Sequence, residues 1–220
     1  MISLMTVQYG SRLSETESSF TFFDRPKTEM IVVVIGVCGC GKTTVGEALA
    51  KKTGWMFADA DDFHSQSNKN KMSQGLPLTD EDRMPWLNAI YQHLNSLKLS
   101  SQSGIVTCSA LKKQYRNILR NGATYDRPKT SAENSTSEVQ NVCDHVEEGG
   151  LDLVFIHLAG EESVLRSRLE GRQGHFMPPT LLRSQLDTLE PLAEDENGIV
   201  LDIDRPCDAI VEEIVKKLDL

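Results

Sequence analysis

Apolar side chains recur along this chain with two different spacings. Short runs rich in Val and Ile lie at Ile31 to Gly36, Trp55 to Asp59, Gly104 to Cys108, Leu151 to Leu158 and Ile199 to Ile203. Their length and β-branched content read as strands. Longer stretches between them carry apolar residues at helical intervals. Lys42 to Thr53 reads as a helix, and Thr79-x-x-Asp82 is a capping box with the shorter acid, opening a second. In that second helix Leu87, Ile90, Leu94 and Leu97 share one face, and Pro85 falls in the first turns, where proline is tolerated. Cys207, Ile210, Val211, Ile214 and Leu218 make the clearest stripe, on a last helix packed against a sheet. Strands alternating with helices predict βαβ units, hence an α/β fold with helices on both faces of a five-stranded parallel sheet.

Two segments do not join this pattern. Residues 122 to 149 are rich in Ser, Thr, Asn, Glu and Gly with few large apolar side chains, which predicts a mobile insertion. Residues 1 to 29 read as a disordered extension, with Met30 as an alternative start, so that 30 to 220 form one domain. Glu15, Glu17, Asp24 and Glu29 argue against a mitochondrial transit peptide, which is acid-poor. The pentapeptide Asp-Arg-Pro-Lys-Thr occurs at Asp24 to Thr28 and again at Asp126 to Thr130, once in each of these two segments.

Charge and composition narrow the partners. A net charge of -9 over 220 residues argues against nucleic acid, whose binding needs a basic face. The longest apolar run, Ile31 to Val37, is too short to cross a bilayer, so no membrane partner is expected. Five cysteines without a zinc-type spacing, and no secretory signal, predict a reducing, cytosolic setting.

The strongest chemical signal follows the first strand. Gly36-Val37-Cys38-Gly39-Cys40-Gly41-Lys42-Thr43 is a complete G-x-x-x-x-G-K-T between a strand and a helix, the context that a P-loop requires. Its glycines let backbone N–H groups close on a phosphate, and the helix N-terminus, from Lys42 through Thr43 and Thr44, adds partial positive charge. Lys42 is expected on the β- and γ-phosphates of ATP and Thr43 on Mg²⁺. The fold expected is therefore a three-layer P-loop NTPase resembling nucleoside monophosphate kinases.

The central strands lack the terminal aspartate of a motor ATPase, since Ile105-Val106-Thr107 runs into Cys108-Ser109 and Val154-Phe155-Ile156 into His157. The second strand ends instead in Asp59-Ala60-Asp61-Asp62, on the edge of the sheet where ligands bind in open α/β folds. A guanine-reading Asn-Lys-x-Asp is missing; Asn68-Lys69-Asn70-Lys71 has the wrong last residue.

The segments GVCGCGKTT, DADDFH, KMSQGLPLTDEDRMPWL, CSALKKQYRNILR, GRQGHFMPP and SQLDTLEPL occur in order along the chain. In them the sequence resembles the gluconokinases of the thermoresistant glucokinase-like family, relatives of shikimate kinase, from about Ile31 to Leu218. The resemblance implies transfer of phosphate from ATP to D-gluconate, with Mg²⁺, by a homodimer. A sugar acid needs cations for its carboxylate and hydrogen-bonding groups for its hydroxyls, which His64, Arg83, Ser109, Lys112, Arg116 and His175 can supply. Arg83 matches the shikimate kinase arginine that holds substrate, and of Lys112 and Lys113 the first is expected in the crevice. By the same likeness Asp61 orients the attacking hydroxyl and Asp59 joins the metal shell. Arg166, Arg168 and Arg172, with Gly174-His175-Phe176, resemble a lid over about residues 161 to 180, with Arg168 and Arg172 reaching the transferring phosphate. The same motifs serve another acceptor, such as shikimate, a nucleotide or another sugar acid, or an ATP-binding scaffold without transfer. Two features depart from the family: the 122 to 149 insertion, and Cys38 and Cys40 where serine is usual. A thiol at a helix N-terminus ordinarily has a lowered pKa, which predicts reversible inactivation by oxidation.

Overall fold

The sheet is built around its first strand. In the computed structural model, which describes residues 29–123, 150–171 and 179–220, β1 (Ile31–Ile35) is flanked by β3 (Gly104–Thr107) and β4 (Leu153–Ala159). Outside these lie β2 (Met56–Asp59) and β5 (Gly198–Asp202), giving the all-parallel order β2-β3-β1-β4-β5. Being central and covered on both faces, β1 has all its residues buried, as its unbroken Ile-Val-Val-Val-Ile requires. Alternation along it divides two cores: Val32 and Val34 face one cluster, Ile31, Val33 and Ile35 the other. Edge strand β2 has no fully buried residue, and its pairing begins at Met56 rather than Trp55.

Helix α1 (Lys42–Thr53) lies where the 3.6-residue pattern puts it and buries Val45 and Leu49. Gly46 brings it close to the sheet, because a Cβ there would sit 2.7 Å from Thr107 Cγ2 and 2.8 Å from Phe57 Cε2. Helix α3 (Asp80–Leu99) has its full capping box. Asp82 N–H donates to Thr79 Oγ1 at 3.2 Å, and Thr79 N–H donates to Asp82 Oδ2 at 3.0 Å. Its buried stripe is Trp86, Leu87, Ile90, Leu94 and Leu97, on the opposite face of the sheet from α1 and α7 (Cys207–Leu218).

Between β2 and α3 the chain makes a 3-10 turn (Ala60–Phe63) and α2 (Gln66–Ser73). Helix α2 is polar nearly all round, so periodicity does not reveal it. It is held by its Ser65 cap and by the buried Asn68, whose Nδ2 donates to the Asp82 carbonyl at 2.8 Å. Helix α4 (Lys113–Asn121) follows β3, α5 (Glu162–Glu170) follows β4, and α6 (Pro179–Thr188) precedes β5. The terminal extension and the insertion expected at 122 to 149 fall almost wholly outside the described residues, as do 172–178 of the expected lid. No helix among the described residues is long and apolar enough to cross a membrane.

Candidate active site

The loop from Gly36 to Gly41 joins the end of β1 to α1. Gly36 has φ +141°, and a Cβ there would lie 2.8 Å from the Leu158 carbonyl oxygen, so only glycine fits. Gly41 caps α1 in the left-handed region, leaving the first N–H groups of the helix free of helical partners. Lys42 folds over the loop, its Nζ donating to the carbonyls of Gly36 and Val37 at 3.0 Å each. Thr44 faces solvent on the first turn of α1. The Cys38 N–H is taken by Gln185 Oε1 of α6 at 2.7 Å, a contact the sequence did not suggest.

The two loop thiols correct an expectation. Cys38 and Cys40 are buried, 8 % and 1 % exposed, and burial raises both pKa values despite the nearby Lys42 charge. A buried thiol that stays protonated is a poor target for peroxide, so the expected low-pKa redox pair is not built here.

Asp59 ends β2 with both carboxylate oxygens engaged. Oδ2 accepts from Thr43 Oγ1 at 2.8 Å, and Oδ1 accepts from the Asp61 N–H at 3.1 Å, capping the 3-10 turn. Its register neighbour on β3, Thr107, has a buried hydroxyl with no hydrogen-bond partner among the described residues. A hydroxyl on the first turn of α1, with a carboxylate and an unsatisfied hydroxyl at two adjacent strand ends, suits a hard, oxygen-seeking cation such as Mg²⁺, which keeps several waters and few protein ligands. The glycine cradle with Lys42 suits the polyphosphate that such a cation accompanies.

Asp61 projects from the 3-10 turn beside Asp59. The residue is exposed at its outer side, yet enclosure of the carboxyl by the crevice, and then the Asp59 charge, raise its pKa. Three residues on, His64 is 8 % exposed and stacks on Trp86 with ring centroids 4.4 Å apart. Trp86 is fixed in turn by its Nε1, which donates to the Ala60 carbonyl at 2.7 Å. Burial, then the charges of Lys69 and Arg83, lower the His64 pKa to about 4, so the ring is neutral near pH 7. Its Nδ1 is buried and has no partner among the described residues, which suits a hydroxyl-bearing ligand.

Arg83 of α3 and Lys112, at the N-terminus of α4, converge on Asp80. Lys112 Nζ lies 2.7 Å from Asp80 Oδ2, Arg83 Nη1 lies 3.4 Å from Asp80 Oδ1, and the Tyr115 hydroxyl donates a short hydrogen bond to the same Oδ1. Both cations also lie over the Tyr115 ring, at 5.3 Å for Lys112 and 5.7 Å for Arg83. These donors, led by Lys112, lower the Asp80 pKa, while burial and then Asp80 raise that of Tyr115. Lys113 turns away to Asp195 at 2.8 Å. Ser109 links the two halves of the site, its carbonyl accepting the Gly36 N–H at 3.4 Å. Asp80 and Tyr115 were missed by sequence reasoning, although the Asp80-Glu81-Asp82-Arg83 spacing on one helix start was a usable signal.

Arg116 is a correction. Expected on the substrate, its side chain is 0 % exposed and all of its N–H groups are committed inside the protein. Nε and Nη2 donate to Glu196 at 2.6 and 2.8 Å, Nη2 also to the Pro191 carbonyl, and Nη1 to the carbonyls of Ala110, Leu111 and Glu190. It fastens the loop after β3 to residues 190 to 196 and has no donor left for a ligand.

On the other side of the phosphate loop, Arg168 of α5 donates from Nη2 to the Ile203 carbonyl at 2.5 Å. Its Nη1 is 3.7 Å from where a Cβ on Gly41 would sit, so the guanidinium adjoins the loop. It lines an open pocket of about 390 Å³ with Ser163, Val164, Ser167 and Asp204. Arg166 instead pairs with Glu162 at 2.7 Å on the helix surface. Arg172 and His175 lie outside the described residues.

Comparisons with known proteins bear on the family and the fold. The shikimate kinase family model matches residues 38–126. A protein of Xenopus tropicalis named "Probable gluconokinase" is 45 % identical over 190 residues, covering 86 % of this chain and 94 % of its own. Its namesake from Rattus norvegicus is 43 % identical over 192 residues, covering 87 % and 99 %. Among solved structures, a gluconokinase from Sinorhizobium meliloti 1021 is 40 % identical, with a TM-score of 0.67 over 87 % of this chain and 93 % of that one. With a complete P-loop, a five-stranded parallel sheet and this identity over nearly the whole length of those relatives, the chain belongs to the gluconokinase family.

Proposed function

We propose that this protein transfers the γ-phosphoryl group of ATP to the 6-hydroxyl of D-gluconate, forming 6-phospho-D-gluconate and ADP. The observation that carries the reading is the meeting of two unlike half-sites on one edge of the sheet. The phosphate loop after β1 and the Thr43–Asp59 pair stand on one side, and the Arg83–Lys112–Tyr115 cluster beside neutral His64 on the other. The first half suits a magnesium nucleotide; the second offers two cations to a carboxylate and an unpartnered ring nitrogen to a hydroxyl.

Mg²⁺, when bound, would supply positive charge to offset that of the group in transfer. Thr43 and Asp59 would hold that ion, and Lys42 swings from the loop carbonyls to the phosphate oxygens. Arg83 and Lys112 fix the carboxylate end of gluconate, trading their present contacts with Asp80 for the ligand. His64 positions a hydroxyl. Asp61 orients the 6-hydroxyl and takes its proton as the O–P bond forms; its raised pKa makes it a better acceptor than an ordinary aspartate. Arg168, which adjoins the phosphate loop, offsets charge on the transferring phosphate. Family likeness supports a homodimer, and the cysteine usage and acidic charge support a cytosolic enzyme without nucleic-acid or membrane partners.

The test is coupled ADP release with ATP and Mg²⁺ against gluconate, related hexonates, glucose, shikimate and nucleoside monophosphates. Gluconate should stimulate far more than the rest. Stimulation by a different acceptor would move the specificity, and none by any would overturn the kinase reading.

A further inference from the structure

The Cys38 amide is the one loop N–H among the described residues that a distant side chain holds, at 2.7 Å from Gln185 Oε1. Gln185 lies on α6, and α6 is not a loose arm. Leu182 is buried at 1 %, and Leu186 and Leu189 pack against the same core as Val37, Cys38 and Cys40. The chain that continues from α6 is stitched to the opposite half-site. Glu190 N–H donates to the Leu111 carbonyl at 2.8 Å, Lys113 N–H donates to Glu190 Oε2 at 2.6 Å, and Glu196 holds Arg116. Leu111 immediately precedes Lys112, whose ammonium belongs to the acceptor cluster. Residues 185 to 196 therefore touch the phosphate loop at one end and the acceptor loop at the other.

We infer that Gln185 is a positioning residue for phosphoryl transfer: it anchors the Cys38 amide so that residues 185 to 196 act as a strut setting the phosphate loop against the acceptor loop. In-line transfer demands that spacing, because a displacement of about 1 Å costs on the order of 10²-fold in rate. Gln185 needs no contact with either substrate to do this. Its Oε1 makes the contact, accepting the Cys38 N–H. The inference rests on the reading of the glycine loop as a phosphate cradle.

Gln185→Met keeps the length of the side chain and removes the acceptor. Five quantities decide the matter in this variant: kcat, KM for ATP, KM for gluconate, thermal midpoint, and amide hydrogen exchange of peptides spanning residues 36–41. The expected result is a fall of about five- to tenfold or more in kcat/KM for ATP, faster exchange at the loop, KM for gluconate within about twofold, and a nearly unchanged thermal midpoint. Gln185→Glu retains an acceptor and should keep the loop protected from exchange. Wild-type kinetics and exchange in Gln185→Met would overturn the inference, as would a loss explained by a lowered midpoint or a Gln185→Glu loop as unprotected as that of Gln185→Met. Exchange is read without acceptor, so a failure of the gluconate assignment leaves this test intact and separately readable.

Discussion

Replacing Arg116 separates a structural arginine from a substrate contact. In Arg116→Met the Glu196 carboxylate, 2 % exposed, loses both of its charged hydrogen bonds. The carbonyls of Ala110, Leu111, Glu190 and Pro191 lose their donor as well. Breaking one side of a buried ion pair costs about 3–5 kcal/mol, a fifth or more of the stability of a typical domain at about 5–15 kcal/mol. With a urea m-value of about 2 kcal/mol/M, the unfolding midpoint should fall by about 2 M. Arg116→Met combined with Glu196→Leu removes the stranded charge and should recover about 2 kcal/mol of that loss. Arg116→Lys keeps the charge but not the fork of donors, and should fall between. Urea unfolding followed by circular dichroism measures all three. A loss below about 1 kcal/mol, with KM for gluconate raised tenfold, would refute the structural assignment and return Arg116 to the acceptor site.

Three further outcomes follow from the site. Asp61→Asn should lower kcat by about 10²-fold or more while leaving KM for ATP within about twofold, and the acid limb of the wild-type pH profile should lie above the ordinary Asp value of about 3.9 because the Asp61 pKa is raised; equal loss of ATP binding would sink the role. Lys112→Met, which removes a cation from the Asp80 cluster, should raise KM for gluconate about tenfold or more without affecting ATP, as read by ADP release at varied gluconate. His64 has a folded pKa of about 4 against 6.5 in the unfolded chain, so the unfolded state takes the proton first and stability falls as pH drops through that window. The loss is at most about 3 kcal/mol, and the gap between urea midpoints at pH 7 and 4.5 should narrow in His64→Gln, the remainder coming from groups such as His157, whose pKa burial also lowers.

What could be read before folding was whatever local pattern controls. The apolar runs and the P-loop carry their meaning within a few residues, and the Thr79–Asp82 box closes within one helical turn. What escaped depends on partners far along the chain. Arg116 reads as a substrate-binding cation until Glu196 arrives 80 positions later, and the Gln185 contact to Cys38 spans 147. The thiols failed for a related reason: their position at a helix start suggests a low pKa, but their burial, set by packing from α6 and β4, outweighs it. Helix α2 was hidden because polar caps and one buried asparagine hold it, leaving no apolar stripe to detect.

The central place of β1 bears on how the chain is made. Val33 finds its sheet neighbours at Val106 on one side and Phe155 on the other, so the most apolar strand is among the first synthesised and among the last to be paired. A ribosome adding about 5–20 residues per second exposes Ile-Val-Val-Val-Ile for several seconds before β3 emerges, and longer before β4. Such a segment, without charge or proline, is a ready seed for β-aggregation. Newly made protein should therefore depend on chaperone shielding of its own catalytic strand until the second half of the chain has left the tunnel.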